Sequence, residues 1–479
     1  MRYIKGIPRN QAVLFPESIE EYIEENNLVR FIEAYVGSLD MKELEFTYSD
    51  PKETGRKPYN PGSMLKLYIY GYLQRIRSSR RLETETQRNV ELMWLMEKLT
   101  PDFKTIADFR KDNIKSIKKV CREFTIFCKK LGLYGGELAA IDGSKFKAVN
   151  NKEKCYTRNF LKSELKEIDI KIDQYLKEIE KTDKKEQKLR KIEKEKLEDI
   201  IKNIKEERKE VTRMLEEIEN GTSSQISQTD PESRMMLTSG KGYQVSYNGQ
   251  ISVDSKHHMI IESDVTNEMN DMNQLNKMAE KTKQMLNTDT LKVVCDSGYF
   301  NEKEISKCEN NEIECYIAIP KRASNENKGK YGLDEFRYDK SKDNYICPQG
   351  KDLTYSCTFK KDKKIVRKYE CFECEGCPVK SECTTSKTNR YLIRSEYVWE
   401  VERVKKRTKE NKGILKKRKE IIEHVFGTLK QWLGYGGGFL LKGLEKVNGE
   451  FSLLTMTYNL KRAIKIIGIK EMIKSLETT

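Results

Sequence analysis

Long apolar runs are absent from this chain. Nowhere do 18 consecutive apolar residues occur, which argues against a membrane-spanning helix. The opening residues 1–16 have no apolar core and no small-residue cleavage site, so we expect no secretory signal and a cytoplasmic location. Histidine is scarce, and His424, which lies on a predicted helix, is of a kind more often packed or exposed than bound to metal.

Positive charge is in excess. Lys and Arg number 91 against 76 Asp and Glu, for a net charge of +15. With 37% hydrophobic residues the chain can bury a core, and 479 residues predict roughly two to four structural units. The basic excess favours a polyanionic partner, most commonly nucleic acid, although charge alone is a weak signal.

The first part of the chain is predicted to be helical. Asn60-Pro61 is typical of a helix start, because Asn caps the first turn and Pro needs no hydrogen-bond partner at the first helical position. Apolar residues follow at helical spacing, another amphipathic run covers residues 90–99, and a third helix runs through Phe109. Residues 1–135 therefore form a predicted helical domain.

From Leu138 the pattern changes to short apolar strands. Residues 243–247 and 250–253 are predicted to form a hairpin around Asn248-Gly249, a favoured two-residue turn. The other predicted elements are strands at 137–142, 259–265, 291–296 and 315–319 and a helix at 271–283. This alternation predicts an α/β fold, a mixed sheet with helices on its faces.

Two segments interrupt the predicted sheet. Residues 160–220 are rich in Lys and Glu with apolar residues at helical spacing, and a break near 181–185 predicts an antiparallel helical hairpin. Residues 321–388 contain a cysteine cluster. The hairpin carries no recognisable chemistry.

Two aspartates follow apolar strands. Asp142 precedes Gly143-Ser144, a predicted turn, and Asp296 precedes Ser297-Gly298-Tyr299. A carboxylate in such a place is costly without a cation, and Mg²⁺ prefers oxygen ligands. With a third acid they could hold two ions about 3.5–4 Å apart, which suits attack on phosphodiesters. Either motif alone is more often a simple turn.

Several motifs together resemble the DDE transposases of bacterial insertion sequences. The matching segments are Ile141–Lys145, Asp296–Tyr299 and Ile422–Lys430, with Arg56–Tyr59, Thr105–Arg110 and Thr457–Arg462 outside the acidic motifs. The resemblance implies a ribonuclease-H-like catalytic domain in which Asp142, Asp296 and Glu423 hold Mg²⁺ or Mn²⁺. Glu420 is a competing third acid, three residues earlier and near the same helix face.

The family's third motif often reads Tyr-x2-Arg-x3-Glu-x6-Lys. Glu423 and Lys430 fit its last part. Lys416 stands where Tyr is expected and Lys419 where Arg is expected, with Arg418 one residue away. The charge is therefore kept and the Tyr is lost.

The resemblance also implies a domain order and partners. The predicted divisions are a helical DNA-binding domain at 1–135, catalytic parts at 136–159, 221–320 and 389–479, the hairpin insertion at 160–220 and the Cys-rich insertion at 321–388. The implied partner is double-stranded DNA, at element ends and target, bound by a homodimer or larger assembly associated with the nucleoid. The alternatives are a plain ribonuclease-H-like nuclease and a non-catalytic DNA-binding protein from a decayed element.

Basic residues cluster beside the predicted third acid. Between Val401 and Lys430 there are 11 Lys and Arg against four Glu, nearly half of the net charge. Such a run is often a solvated face, but its position suits phosphate contacts. The predicted DNA contacts are Lys416, Lys417, Arg418, Lys419 and Lys430 here, and Arg80 and Arg81 in the helical domain.

Five of the twelve cysteines share one stretch. They are Cys347, Cys371, Cys374, Cys377 and Cys383. Their spacing favours tetrahedral thiolate zinc, while an iron–sulfur centre fits less well and packed, metal-free thiols are a third reading. Cys347 is the expected fourth ligand if Cys383 is not used, and Cys357 is expected to be free.

Overall fold

The computed structural model describes residues 18–50, 57–150, 152–182, 187–221, 225–238, 240, 242–320, 330–361 and 364–477. Residues 1–16, Arg56, most of the predicted hairpin break and the start of the predicted Cys-rich insertion therefore lie outside the described residues. In the described ranges, no helix has the length and hydropathy needed to cross a membrane.

The helices, in chain order, are α1 (Leu28–Gly37), α2 (Pro61–Leu73), α3 (Ser79–Arg88), α4 (Val90–Leu95), α5 (Phe103–Asp112), α6 (Ile114–Lys130), α7 (Arg158–Thr182), α8 (Gln187–Asn220), α9 (Leu275–Leu286), α10 (Glu302–Asn310), α11 (Lys380–Cys383), α12 (Val398–Glu410), α13 (Lys412–Gly427), α14 (Leu444–Ile467) and α15 (Ile469–Glu477). The strands are β1 (Leu138–Lys147), β2 (Cys155–Thr157), β3 (Gln225–Ser227), β4 (Arg234–Thr238), β5 (Gly242–Asp254), β6 (Ile260–Thr266), β7 (Leu291–Cys295), β8 (Ile313–Ile317), β9 (Arg337–Asp339), β10 (Asn344–Ile346), β11 (Asp352–Lys361), β12 (Lys364–Glu370) and β13 (Tyr391–Ser395).

Helix α2 begins where the sequence predicts. The Asn60 side chain accepts a hydrogen bond from the Gly62 N–H at 2.7 Å, and Pro61 occupies the first helical position. Almost every α2 side chain is buried, because α1, α4, α5 and α14 surround it. The helix is therefore a central element of the core rather than a surface helix with one apolar stripe.

The central sheet has six strands and mixed direction. Its order is β4-β5-β1-β7-β8, and β6 pairs with the same edge of β5 as β4 does. Strand β5 is antiparallel to β1, β4 and β6, whereas β1, β7 and β8 are parallel. The predicted mixed sheet is confirmed, and β1 lies at the junction of its antiparallel and parallel halves.

Helices cover both faces of this sheet. On one face, α14 and the N-terminal helices share a continuous apolar cluster that includes Phe124, Tyr247 and Phe451. On the other face, α9, α10 and α12 bury a second cluster around Val293 and Leu275. The N-terminal helices are thus packed directly against the sheet, and the predicted domain boundaries stay predictions.

The predicted hairpin around Asn248-Gly249 is wrong. Strand β5 runs unbroken through both residues, which pair with Lys145 and Ser144 of β1. Gly249 serves close packing instead of a turn: a Cβ there would lie 2.9 Å from Phe451 Cζ and 3.0 Å from the Phe146 ring. The Asn-Gly pair was misleading because a glycine needed for close packing against a ring cannot be distinguished in sequence from a glycine needed for a turn.

Helices α7 and α8 form the predicted hairpin. Its apolar seam contains Leu161, Ile168, Val211, Met214 and Ile218, together with Ile226 of β3. This cluster is separate from the two clusters of the central sheet. The hairpin therefore buries its own seam.

Replacing residues 161–219 by a short Gly/Ser linker should leave a soluble, folded protein, because the parent core loses little contact. Far-ultraviolet circular dichroism should show less helix, and the thermal midpoint of the remainder should stay close to that of the full chain. Aggregation of the shortened protein would show instead that the hairpin covers an apolar face.

A second, smaller sheet follows β8. Its five strands are antiparallel in the order β13-β12-β11-β10-β9, and the short α11 lies between β12 and β13. Its core is distinct from the cores of the central sheet. This unit, residues 330–361 and 364–395, is called the Cys-rich module below.

Candidate active site

Asp142 lies within a strand and not at its end, so the predicted turn at Gly143-Ser144 is wrong. Strand β1 continues to Lys147 by pairing with β5, whereas its parallel pairing with β7 is described only from Leu138 to Ala140. Asp142 therefore stands just beyond the point where β1 and β7 separate. Its Oδ1 accepts a hydrogen bond from the Gly143 N–H at 2.8 Å.

Asp296 stands at the matching position on the neighbouring strand. It follows β7 directly, and its Oδ1 accepts a hydrogen bond from the Gly298 N–H at 2.8 Å, which caps a short 3-10 turn. Because β1 and β7 are parallel neighbours, the two aspartates meet at one edge of the sheet. The structure thus brings together two of the three predicted acids.

The two carboxylates influence each other. Asp142 is only 19% exposed, and burial raises its pKa to about 6, an effect reinforced by Asp296 and Asp271 and opposed by Arg418. The Arg418 guanidinium approaches Asp142 Oδ2 at 2.9 Å. Negative charge is therefore concentrated at this site, and the Arg418 guanidinium partly compensates it.

Asp271 is an acid that the sequence analysis missed. Its Oδ1 accepts hydrogen bonds from the side-chain amides of Asn248 and Gln250, both at 2.7 Å, and Lys145 Nζ lies at 3.6 Å. The Tyr299 hydroxyl donates to Gln250 Oε1, so this network is itself anchored. The sequence predicted Asp271 only as the first residue of a helix, but α9 begins at Leu275 and Asp271 lies in the preceding loop.

Two glycines explain how Asp271 approaches the other acids. A Cβ on Gly143 would collide with Gln250 and lie 2.5 Å from Asp271 Oδ1. A Cβ on Gly298 would lie 3.0 Å from Asp296 Oδ1 and 3.8 Å from Asp271 Oδ2. Gly143 and Gly298, one and two residues after their aspartates, thus make room for the carboxylates, which the turn interpretation did not foresee.

Lys145 provides a second cation at this site. Burial lowers the pKa of Lys145, while Asp271, Asp142 and Asp296 act in the opposite direction. Its side chain is 15% exposed. Three acids and two cations therefore form one partly buried ionic cluster.

Glu423 is not part of this cluster. It is exposed on α13, whose buried side chains, including Ile422 and Val425, pack on the sheet. Glu420 is exposed as well. Among the described residues, no group of three Asp, Glu, His or Cys side chains has the spacing to hold a metal ion. The structure therefore places Asp142, Asp271 and Asp296 in mutual electrostatic contact, at more than ligand spacing, and leaves the predicted third acid outside.

His424 is an exposed side chain of α13. Its ring lies 4.9 Å from that of His258, and Nε2 lies 3.4 Å from the Tyr458 hydroxyl of α14. These contacts are consistent with the packed or exposed role expected from the sequence.

The predicted phosphate contacts occupy different environments. Lys416, Lys417 and Lys419 are exposed, whereas Arg418 is 13% exposed and turned onto Asp142. Lys430 lies in a π-helical turn, Thr428–Trp432, rather than on a continuation of α13. Its Nζ is 2.5 Å from Ser144 Oγ and 5.0 Å from the centre of the Phe146 ring. Lys430 therefore borders β1, two residues along from Asp142.

Arg80 and Arg81 are exposed on α3, as a DNA-contacting edge requires. Arg80 stacks over the Phe103 ring at 4.7 Å, and Arg81 lies 3.9 Å from Glu85. Nothing in these contacts prevents either side chain from reaching a ligand.

The five clustered cysteines line one small cavity of the Cys-rich module. Burial raises the pKa of Cys371 to about 12 and raises that of Cys383. Cys357 is exposed on β11 and does not line the cavity, as expected for a free cysteine.

Two segments of the chain match known protein families. The family described as Transposase DDE domain matches residues 346–464, and the family described as Transposase domain (DUF772) matches residues 17–112. Two segments of the chain thus match transposase families, in the order expected of a DDE transposase of an insertion element. No curated protein and no solved structure matches it.

The DDE-domain match and the sheet topology confirm the predicted fold, a ribonuclease-H-like α/β domain preceded by a helical region. The matched DDE segment contains Glu423, Lys430 and the five cysteines but neither Asp142 nor Asp296. The assignment of the two aspartates therefore depends on the geometry of β1 and β7, and the assignment of Glu423 as the third acid depends on the sequence motif.

Members of this family generally use a divalent metal such as Mg²⁺. The donor set at the sheet edge fits such an ion, because Asp142, Asp271 and Asp296 offer carboxylate oxygens, the ligands that hard cations prefer. Burial raises the pKa of Asp142 and the negative charges of Asp296 and Asp271 add to that effect, so a cation at this edge would favour the ionised carboxylate.

Proposed function

We propose that this transposase cuts DNA at the ends of a mobile element and joins the freed ends to target DNA, with Mg²⁺ or Mn²⁺ held by Asp142, Asp296 and Glu423. The observation that carries the proposal is that Asp142 and Asp296 lie in one ionic cluster, just beyond the last paired residues of the parallel strands β1 and β7. A pair of acids so placed is a cost to the fold, which a bound cation would remove.

The divalent ions would supply an activated water or 3′-hydroxyl and stabilise the oxygen that leaves phosphorus. Asp142 and Asp296 fix the place of the reaction, because strand β1 and the 3-10 turn after β7 hold their backbones. Asn248 and Gln250 orient Asp271 beside them. Arg418 and Lys145 balance the charge until a cation and a phosphate enter.

The third ligand has two candidates. The six-residue spacing to Lys430 supports Glu423, and proximity to Asp142 and Asp296 supports Asp271. Recruitment of Glu423 requires α13 to shift or turn towards the sheet edge, and Arg418, on the same helix, already contacts Asp142. Our proposal keeps Glu423 as the ligand and Asp271 as the residue that shapes the site.

The cleavage step is tested with a labelled duplex taken from the inverted repeats that flank the coding frame. We expect a cut at the repeat boundary in Mg²⁺ or Mn²⁺ and none in EDTA. Cleavage at random positions would indicate a plain nuclease, and sequence-specific binding without any cleavage would indicate a non-catalytic DNA-binding protein. Both outcomes would reject the proposal.

DNA affinity should fall steeply with salt, since phosphate contacts release counterions. Neutralising Lys416, Lys417 and Lys419 together to Gln should weaken binding to every sequence and flatten the salt slope by about 0.9 for each lost phosphate contact. Binding titrations over a salt series measure both quantities.

A matched control removes the same charge from the hairpin. Lys202, Lys205 and Lys209 are exposed on α8, and their replacement by Gln should leave the slope unchanged if the hairpin does not bind DNA. A wild-type slope in the Lys416, Lys417 and Lys419 variant would show that this face is merely solvated. We assign sequence preference instead to Arg80 and Arg81, whose loss should reduce the advantage of element ends over scrambled duplexes.

A further inference from the structure

The Cys-rich module has little apolar core of its own. The buried residues of its cluster are Phe336, Tyr345, Leu353, Tyr369, Cys371, Cys374 and Leu392. A unit of this size usually needs a disulfide or a structural metal in addition to its core. All of its cysteines are free thiols, so disulfides do not supply the cross-link.

The cysteines arrive at their common cavity from separate elements. Cys347 follows β10, Cys371 follows β12, Cys374 and Cys377 lie in the next loop, and Cys383 ends α11. An ion bound here would tie the β10–β11 turn to the loop and helix that precede β13.

Backbone N–H groups already point at two of the sulfurs. Lys351 N–H donates to Cys347 Sγ at 3.3 Å and Arg390 N–H donates to Cys374 Sγ at 3.4 Å. Such bonds stabilise a thiolate and are typical of the shell around thiolate metal sites. Gly350 and Gly376 have φ of 76° and 67°, which lets the chain turn tightly beside Cys347 and Cys377.

Burial distinguishes one of the five thiols. Cys347, Cys377 and Cys383 are half-buried and Cys374 is 9% exposed, whereas Cys371 is 2% exposed. The Cys371 carbonyl also accepts a hydrogen bond from the Cys374 thiol at 3.5 Å. Cys371 is therefore the most enclosed of the five.

We propose that the Cys-rich module binds one zinc ion through Cys347, Cys374, Cys377 and Cys383, with Cys371 as a packed neighbour. Four thiolates suit tetrahedral zinc, with Zn–S distances of about 2.3 Å. Among the described residues these thiols share the cavity but do not yet stand at ligand spacing, so zinc binding must draw them together. The thiol protons pass to solvent, and loss of the hydrogen bond from Cys374 to the Cys371 carbonyl lets the Cys374 sulfur turn towards the cavity. The site is structural, because four protein ligands leave no position for substrate.

The proposal is tested on the full-length protein purified without chelators. Elemental analysis should find about one zinc per chain, in keeping with a single four-ligand site. After exchange of zinc for Co²⁺, the visible spectrum should show the intense bands of tetrahedral cobalt thiolate. Neither readout depends on DNA cleavage, so failure here and failure of the proposed function are distinguishable.

Single Ser variants identify the ligands. Cys374→Ser and Cys377→Ser should lose most of the zinc, whereas Cys371→Ser and the exposed control Cys357→Ser should keep it. Zinc loss in Cys371→Ser with retention in Cys377→Ser would overturn the ligand assignment. Iron in place of zinc, or wild-type protein with neither zinc nor a cobalt thiolate spectrum, would overturn the site itself.

Discussion

Asp142→Asn and Asp296→Asn should each lower the rate of DNA cleavage by more than about 100-fold. Loss of a residue that only hydrogen-bonds to a metal ligand already costs up to about 100-fold, and a direct ligand should matter more. A neutral amide is a much poorer ligand for Mg²⁺ than a carboxylate. DNA binding should survive, because the exposed lysines of α13 are unchanged. Initial cleavage rates on the repeat-end duplex and binding titrations on the same duplex measure the two effects.

Charge-matched controls separate chemistry from electrostatics. Asp289→Asn removes one exposed carboxylate near β7 and should cleave like the wild type. Wild-type cleavage by Asp142→Asn or Asp296→Asn would show that the sheet edge is not the active site.

The same assay decides the third acid. Glu423→Gln should be as damaging as the aspartate variants, while Glu420→Gln should be nearly neutral. Asp271→Asn should slow cleavage, since its hydrogen bonds with Asn248 and Gln250 would be altered. Full activity in Glu423→Gln together with an inactive Asp271→Asn would move the third ligand to Asp271.

Glu450→Ala should be among the most destabilising substitutions in the protein, costing about 3–5 kcal/mol, as expected when a buried ion pair loses one partner. Glu450 is 0% exposed on α14, and its carboxylate accepts hydrogen bonds from the Leu440 and Leu441 N–H groups at 3.0–3.2 Å. Arg77 approaches it at 3.6 Å. Removing the carboxylate leaves these donors without their acceptor.

This cluster also joins parts of the chain that are distant in sequence. Burial raises the pKa of Glu450, and the Arg110 guanidinium of α5 and Arg77 oppose that effect. Arg77 additionally donates to the Gly438 carbonyl at 2.8 Å. The N-terminal helices, the loop before α14 and α14 itself are therefore held by one buried ionic contact.

Urea unfolding followed by tryptophan fluorescence tests this prediction. Glu445→Ala is the matched control on the same helix: Glu445 is exposed beside Lys115, so its loss should change stability by no more than about 0.5 kcal/mol. An unfolding midpoint for Glu450→Ala close to that of the control would show that the buried pair contributes little.

Local patterns predicted most elements of this fold. The N-cap at Asn60, the helical hairpin and the strands around Asp142 and Asp296 follow from side-chain periodicity and capping, which depend on neighbours in sequence. The hairpin at Asn248-Gly249 failed because Gly249 serves Phe451, about 200 residues away. Tertiary packing, and not a local turn, therefore explains the glycine at this position.

The candidate site was predictable only in part for the same reason. Asp142 and Asp296 carry the signal of an acid after an apolar strand, whereas Asp271 lies in a polar loop with no periodicity and enters the site through long-range contacts. Arg418 appeared to be one of several phosphate-binding residues, yet the turn of α13 places it on Asp142. The direction in which a basic side chain leaves its helix decides whether it contacts an acid of the site or the solvent, and the number of basic residues in a segment does not show this.

The joining reaction tests the central claim most directly. Pre-cut element ends are incubated with the purified protein, a supercoiled target plasmid and Mg²⁺, and the products are separated by size and sequenced across the junctions. We predict element 3′ ends covalently joined to target DNA in Mg²⁺ or Mn²⁺, no joining in EDTA and none with Asp142→Asn. Absence of joined ends in either metal, or joining that persists in Asp142→Asn, would contradict the account.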